Sequence, residues 1–359
     1  CDWSSDVCSS DLEGKAVRVH PRLKFGGAAL TDPENQWGVD VATRVLGGAV
    51  VGALLTMLAC GFAAALRARS AGIGFNRAWQ QIKRRETPMP IKTVLITLGV
   101  FFVLAGIVGA LASQYHVFGT DRVGNDLLYV VLKSIRTALV IGTMTTLVTL
   151  PIAVGLGILA GYLRGWVDEV IQYVYTVINS IPYVLLIAAA VLILLNFIDA
   201  HPEMFQTAAE RTDARLFFLC VILGMTSWTE LCRLIRGEVM KLREFEYVQA
   251  AQAFGVGTWR IMTVHLLPNV MHLILITVVI SFSGLVLAEA ILSYVGVGVD
   301  PSMASFGMLI NTARLELSRE PAIWWTLATA FAFMFALVLS ANIFADAVRD
   351  AFDPRSLRR

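Results

Sequence analysis

Seven stretches of this chain, near residues 45–66, 92–112, 136–161, 172–196, 216–236, 268–292 and 322–344, are apolar over lengths of about 20 residues or more, the length at which a helix spans the hydrocarbon of a bilayer. In lipid, each backbone N–H and C=O must be satisfied within its own segment, which restricts runs of this kind to helices. The bulk composition agrees. With 57% hydrophobic and only 16% charged residues, the chain lies outside ordinary globular usage. The expected fold class is all-α, a polytopic transmembrane helical bundle.

Basic residues set the orientation. Between the first two spans lie Arg67, Arg69, Arg77, Lys83, Arg84, Arg85 and Lys92 against Glu86. The positive-inside rule puts that loop in the cytoplasm, and topology alone accounts for its charge. Alternation then makes the loop around Glu246 and the tail with Arg349, Arg355, Arg358 and Arg359 cytoplasmic. The more acidic segments 199–215 and 300–320 become external. The net charge of +2 gives no nucleic-acid surface, so the expected surroundings are a lipid bilayer and no nucleic acid.

Between the fifth and sixth spans the pattern changes. Tyr247, Ala250, Ala251 and Phe254 recur at i, i+3, i+4 and i+7 on one helical face, with Glu246, Gln249 and Gln252 away from it. Gly255 offers the left-handed cap that ends a helix. Thr258 suits the N-cap of a second short helix over 259–267, and Pro268 suits the first turn of the next span. A bent, two-helix element at the cytoplasmic surface is expected, of a kind that docks a soluble partner.

Glu246, Tyr247, Val248, Ala250, Ala251 and Gly255, followed by His265, Leu267, Pro268 and Asn269, resemble the EAA loop of permease subunits of ABC importers, in the dipeptide and oligopeptide branch, which also carries nickel. Gln249 stands where that loop often has Glu. The resemblance runs from about Ile91 to Arg355 and implies a six-helix importer core over 91–355, its coupling loop at 237–267, preceded by a region 13–90 with one additional span. Residues 356–359 form a basic tail. Residues 1–12 have neither initiator Met nor signal-peptide architecture and are set aside as non-native. Cys1 and Cys8 are accordingly given no pairing, and Cys60, Cys220 and Cys232 lack zinc-site spacing and suit small buried apolar positions.

Two further segments carry the resemblance. Phe118-Gly119-Thr120-Asp121 with Gly124 and Asp126 is similar to the family's F-G-T-D-x-x-G-x-D turn, and Ala288-Glu289-Ala290-Ile291-Leu292-Ser293-Tyr294 to its A-E-A-x-L-S-[FY]. Gly119, Thr120 and Asp121 fit either a capped turn or a part of the external gate, with Asn125 or Asp126 capping the next helix. Glu289 falls near the external interface and fits either a structural or a pathway residue. Pro151 and Pro182 each predict a kink, static or gating, and the glycines from Gly155 to Gly161 predict close helix packing. Glu230 is expected to pair with Arg233. His265 and His272 share a face without a third ligand, so no metal site is expected.

The chain contains no G-x-x-x-x-G-K-[ST] phosphate loop, no H-E-x-x-H and no G-x-S-x-G, so no catalytic residues are assigned. The resemblance implies that ATP is used by partner subunits, with no cofactor bound by this chain. It also implies a second homologous permease, two cytosolic ABC ATPases and an extracytoplasmic solute-binding protein. Peptides are the expected cargo. Nickel, opines, glutathione or oligosaccharides remain open, as does a scaffold or exporter component that imports nothing.

Overall fold

The computed structural model describes residues 8–9, 18–19, 33–84, 90–205, 207–318 and 322–352. Glu86, Glu320 and the basic tail, on which part of the charge pattern rests, lie outside them, as does the segment 1–12 apart from Cys8 and Ser9. A two-residue antiparallel pairing, Cys8–Ser9 with Arg18–Val19, precedes the helices. Among the described residues the remaining named elements are helices, and the chain divides into two compact units, Cys1–Gly119 and Thr120–Arg359.

The first unit holds α1 (Pro33–Ala71), α2 (Phe75–Lys83) and α3 (Ile91–Ala112). Glycine brings α1 and α3 into backbone contact: a Cβ on Gly52 would stand 2.5 Å from the Val103 Cα, and Gly48 and Gly106 meet as closely. Small residues are the usual means of such packing in lipid, where apolar burial supplies little drive between helices. Near the opposite end from α2, Asp40 accepts hydrogen bonds from Arg44 and from the Tyr115 hydroxyl, both at 2.7 Å. Tyr115 thereby ties the segment after α3 to α1, and its phenol is pushed above the ordinary value by the bond to Asp40.

The second unit runs α4 (Leu127–Leu163), α5 (Trp166–Ser180), α6 (Tyr183–Ala200), α7 (Ala208–Leu242), α8 (Glu246–Ala253), the single turn α9 (Thr258–Arg260), α10 (Leu267–Val295), α11 (Phe306–Leu317) and α12 (Trp325–Phe352). Seven helical segments of the described residues are long and apolar enough to cross a membrane; six overlie the expected runs, and the fourth, Tyr183–Ala200, covers only the later part of 172–196. The main pair is α4 with α7. Gly157 and Gly161 of α4 face Ile235 and Val239 of α7, and Gly224 of α7 faces Val148. Gly155 faces open space, so the close-packing stripe is narrower than the glycine run suggests.

The two prolines behave differently from each other, and Pro182 departs from the expected kink. Pro151 sits within α4, which continues through it. At Pro182 the helix does not kink but stops: Ile181 is extended, as a residue before proline tends to be, and Pro182 caps α6. The predicted span 172–196 is therefore two helices. The first of them, α5, is amphipathic and starts just after α4 at a tight turn through Arg164 (φ 55°) and Gly165 (φ 61°).

At the other end of α4, Gly119 and Gly124 take φ of +82° and +87°, and Thr120 bridges to Asp126 in a closed turn. One Asp121 carboxylate oxygen, Oδ1, accepts from the backbone N–H groups of both Val123 and Asn125, at 2.9 and 2.8 Å. Asp126, one of the two cap candidates, accepts from Leu128 N at 2.8 Å. The Trp325 indole donates to Thr120 O at 2.9 Å, fastening the turn to the start of α12.

Candidate functional site

The segment from α7 to α10 forms a bend whose construction follows from its sequence. Beyond Ala253 the chain closes in a Schellman arrangement: Val256 N donates to Ala251 O and Gly255 N to Gln252 O, both at 3.0 Å. Gly255 is left-handed at φ +75°, as expected. The second helix differs from expectation. Gly257, not Thr258, is its extended N-cap. Nor does it end at Leu267, because α9 runs through a π turn, Ile261–Leu266, directly into α10. Pro268 lies just past that wide turn, which absorbs the missing proline N–H. Asn269 Nδ2 donates to His265 O at 2.6 Å, supplying a donor to the backbone there.

Burial divides the elbow into two faces. Val248 and Ala251 are buried with Val239 and Leu242 of α7 and with Ile261, Met262 and Leu266 of the π turn. Phe254 and Trp259 project outward, 87% and 72% exposed, with Glu246 and Ala250 also exposed. Of the four residues of the stripe, Ala251 lies on the inner face. The reason is geometric. A helix lying across the end of the bundle must spend its i, i+3 apolar pair, Val248 and Ala251, on its own chain.

Tyr247, itself exposed, ties α8 to α10. Its hydroxyl accepts from Asn269 Nδ2 at 3.2 Å, and its ring lies 6.3 Å from that of His265. The widely spaced members of the motif, Tyr247, His265 and Asn269, are therefore one contact group that holds α8 against the start of α10.

Residues outside the motif tie the elbow to α4, and nothing in their sequence spacing announces it. Arg243 donates to Tyr162 O at 2.6 Å and lies over the Tyr162 ring at 5.8 Å. Gln252 reaches the Tyr162 hydroxyl at 3.2 Å, and Arg164 pairs with Glu244 at 2.6 Å. The elbow is thereby fixed to the ends of α4, α7 and α10 at once.

The residues considered for a gate or pathway are not gathered in one place. Gly119, Thr120 and Asp121 form the closed turn ahead of α4. Glu289 is buried, 1% exposed, and accepts from Ser293 Oγ at 2.6 Å; that hydroxyl in turn accepts from Val299 N at 3.2 Å. It latches the loop after α10, whose left-handed cap is Gly296. Asp300 in that loop is partly buried, which disfavours its charge, but bonds from Ser302 and the nearby Arg215 outweigh this and hold its carboxyl below the usual range. Pro182 opens α6, and the next residue, Tyr183, places its hydroxyl 3.3 Å from Ser227 of α7. Glu230, expected to pair with Arg233, does not: Arg233 lies over the Tyr175 ring at 5.5 Å.

Comparison with known proteins agrees with this architecture. The family model described as "Binding-protein-dependent transport system inner membrane component" matches residues 153–358. The oligopeptide transport system permease protein OppC of Mycobacterium tuberculosis (strain ATCC 25618 / H37Rv) is 30% identical over 246 residues, 68% of this chain and 78% of the relative. The dipeptide transport system permease protein DppC of Bacillus subtilis (strain 168) is 28% identical over 299 residues, 79% of this chain and 86% of the relative. The peptidoglycan transport system permease protein YejE of Agrobacterium fabrum (strain C58 / ATCC 33970) is 33% identical over 254 residues, 70% of this chain and 60% of the relative. With its seven apolar helices, the chain is a multi-pass plasma-membrane protein that belongs to the family of binding-protein-dependent transport system inner membrane components.

Proposed function

We propose that this chain is the permease subunit of an ATP-driven peptide importer, coupled to its motor through the elbow from Glu246 to Leu267. It would enclose a pathway with a second homologous permease, receive cargo from an extracytoplasmic binding protein, and dock two cytosolic ATPases, which use the ATP; the chain itself holds no cofactor. The observation that carries this is the divided elbow: Val248 and Ala251 buried in the bundle, Phe254 and Trp259 standing out of it. Exposed aromatics on the polar end of a membrane protein suit a protein partner. Phe254 is the anchor, Ala250 permits close approach, and Glu246 offers a charged contact at the rim.

Coupling follows from rigidity. A push on Phe254 passes through the Gly255 bend to the π turn and α10, and through Arg243 and Gln252 to Tyr162 of α4. Movement of the docked ATPases would therefore tilt several spans together and exchange inward-open for outward-open packing. Peptide cargo is favoured by the names of the oligopeptide and dipeptide relatives.

The test is reconstitution with the companion permease, the ATPases and the binding protein, followed by ATP-driven uptake of labelled short peptides. Gly255→Asp should abolish uptake in a protein that stays monodisperse, because a charge enters the dock. Wild-type uptake by that variant would overturn the lever. Absence of any ATPase assembly would favour a scaffold.

A further inference from the structure

Glu230 is an exposed carboxylate within the long apolar helix α7, and among the described residues it has no hydrogen-bond or ion-pair partner. It sits among apolar side chains, Leu150, Leu231, Val278 and Leu285, as well as hydroxyls. It lines a small cleft of about 40 Å³ together with Thr146 and Thr149 of α4, Ser227 of α7, and Thr277 and Ser281 of α10. Each α4 hydroxyl there donates to its own helix, Thr146 to Gly142 O at 2.7 Å and Thr149 to Thr145 O at 2.9 Å, and Ser227 donates to Leu223 O at 2.5 Å. Their donors are engaged, so what they offer a visitor is oxygen lone pairs.

A carboxylate flanked by acceptor oxygens is suited to a cation. Ionisable side chains in spans face a bundle interior or a water-filled space rather than acyl chains, because exposure to hydrocarbon disfavours their charge. Arg233, the nearest cation in sequence, is turned away onto Tyr175. The broken helix at Pro182 reaches the same place, since the Tyr183 hydroxyl lies 3.3 Å from Ser227.

We infer that the Glu230 cleft faces the aqueous pathway and makes it selective for cationic groups, such as the ammonium of a peptide N-terminus or of a lysine side chain. This rests on the permease reading of the chain. Glu230 is then a specificity residue: it attracts positively charged cargo and repels anionic cargo of the same size.

The experiment reads the cleft's charge preference without depending on the identity of the cargo. Ser281→Cys, in the assembled transporter in liposomes, is labelled with a cationic and an anionic methanethiosulfonate reagent, with the wild-type chain giving the background from its own thiols. The expected result is labelling in which the cationic reagent is favoured about tenfold beyond its ratio on a free thiol, a preference lost in Ser281→Cys/Glu230→Gln and retained in Ser281→Cys/Glu230→Asp. No labelling, or the same ratio with Glu230 and Gln, overturns the inference. Failure of peptide uptake with a Glu230-dependent labelling ratio would instead remove the peptide reading and leave the cation-selective cleft standing.

Discussion

Asp168 and Arg236, 68 residues apart in sequence, close a two-pronged ion pair with N–O distances of 2.5 and 2.7 Å that fastens the amphipathic helix α5 to the main pair of α4 and α7. Both side chains are largely withdrawn from solvent, and the bonds from Arg236 hold the Asp168 carboxyl below its ordinary range despite the opposing effect of burial. Removing one partner of such a pair leaves a stranded charge, at a cost of about 3 kcal/mol. Asp168→Asn should therefore lower the thermal unfolding temperature in detergent, and Asp168→Leu with Arg236→Met should restore most of it. The sign with pH follows from the lowered folded-state pKa. The contribution is complete above about pH 5, beyond the unfolded value of roughly 3.9, and is lost as the pH falls through the folded value. Asp168→Asn should flatten that acid limb.

The glycines of α4 differ in what a methyl group would meet. A Cβ on Gly161 would lie 2.7 Å from Val239 Cβ and 2.8 Å from Arg236 O, and one on Gly157 2.9 Å from Ile235 Cβ, whereas Gly155 has open space. Gly157→Val and Gly161→Val should each destabilise the bundle by about 1–3 kcal/mol or more, with loss of monodispersity on size exclusion. Gly155→Ala should gain about 0.5–1 kcal/mol through helix propensity.

At Gly255 the added side chain meets nothing within 4 Å, so conformation alone decides. A β-branched residue at φ +75° should cost at least about 1–2 kcal/mol locally, while Asn, which tolerates the left-handed region, should cost less. ATP-driven uptake should fall in the order Gly, Asn, Val, with global unfolding temperature nearly constant.

The latch at the Val295 end of α10 predicts a different phenotype. Ser293→Ala removes the hydroxyl that joins Glu289 to Val299 N and should expose the loop 296–305 to added protease in liposomes oriented with that end outward. Gly298→Ala should act more strongly. Its Cβ would stand 2.5 Å from Ser293 N, a backbone atom that cannot give way cheaply.

What the sequence revealed depended on whether the physics was local. Apolar runs and their lengths located the spans, and the left-handed need at Gly255, Gly119 and Gly124 could be read from turn chemistry. The outward and inward faces of α8 could not, because a 3.6-residue period says that Val248 and Ala251 share a side but not which side the bundle occupies. Continuity of α9 into α10 was hidden since Pro268 ordinarily marks a helix start, and here a π turn just ahead of it lets the helix run on. The ties from Tyr162 to Arg243 and Gln252 span 81 and 90 residues and leave no periodic trace. Glu230 was assigned a partner by spacing, but Arg233 prefers the Tyr175 ring contributed by α5.

The central claim, that the outer face of the elbow is the dock of the motor subunits, is tested most directly by a photo-crosslinking residue placed in turn at Phe254 and at Val248 in the assembled complex. Phe254 is 87% exposed and Val248 fully buried within the bundle. Crosslinks to the ATPase from position 254, strengthened or shifted by nucleotide and absent from position 248, are the predicted result. An active complex in which position 254 captures only lipid, or none of the ATPase, would contradict the account.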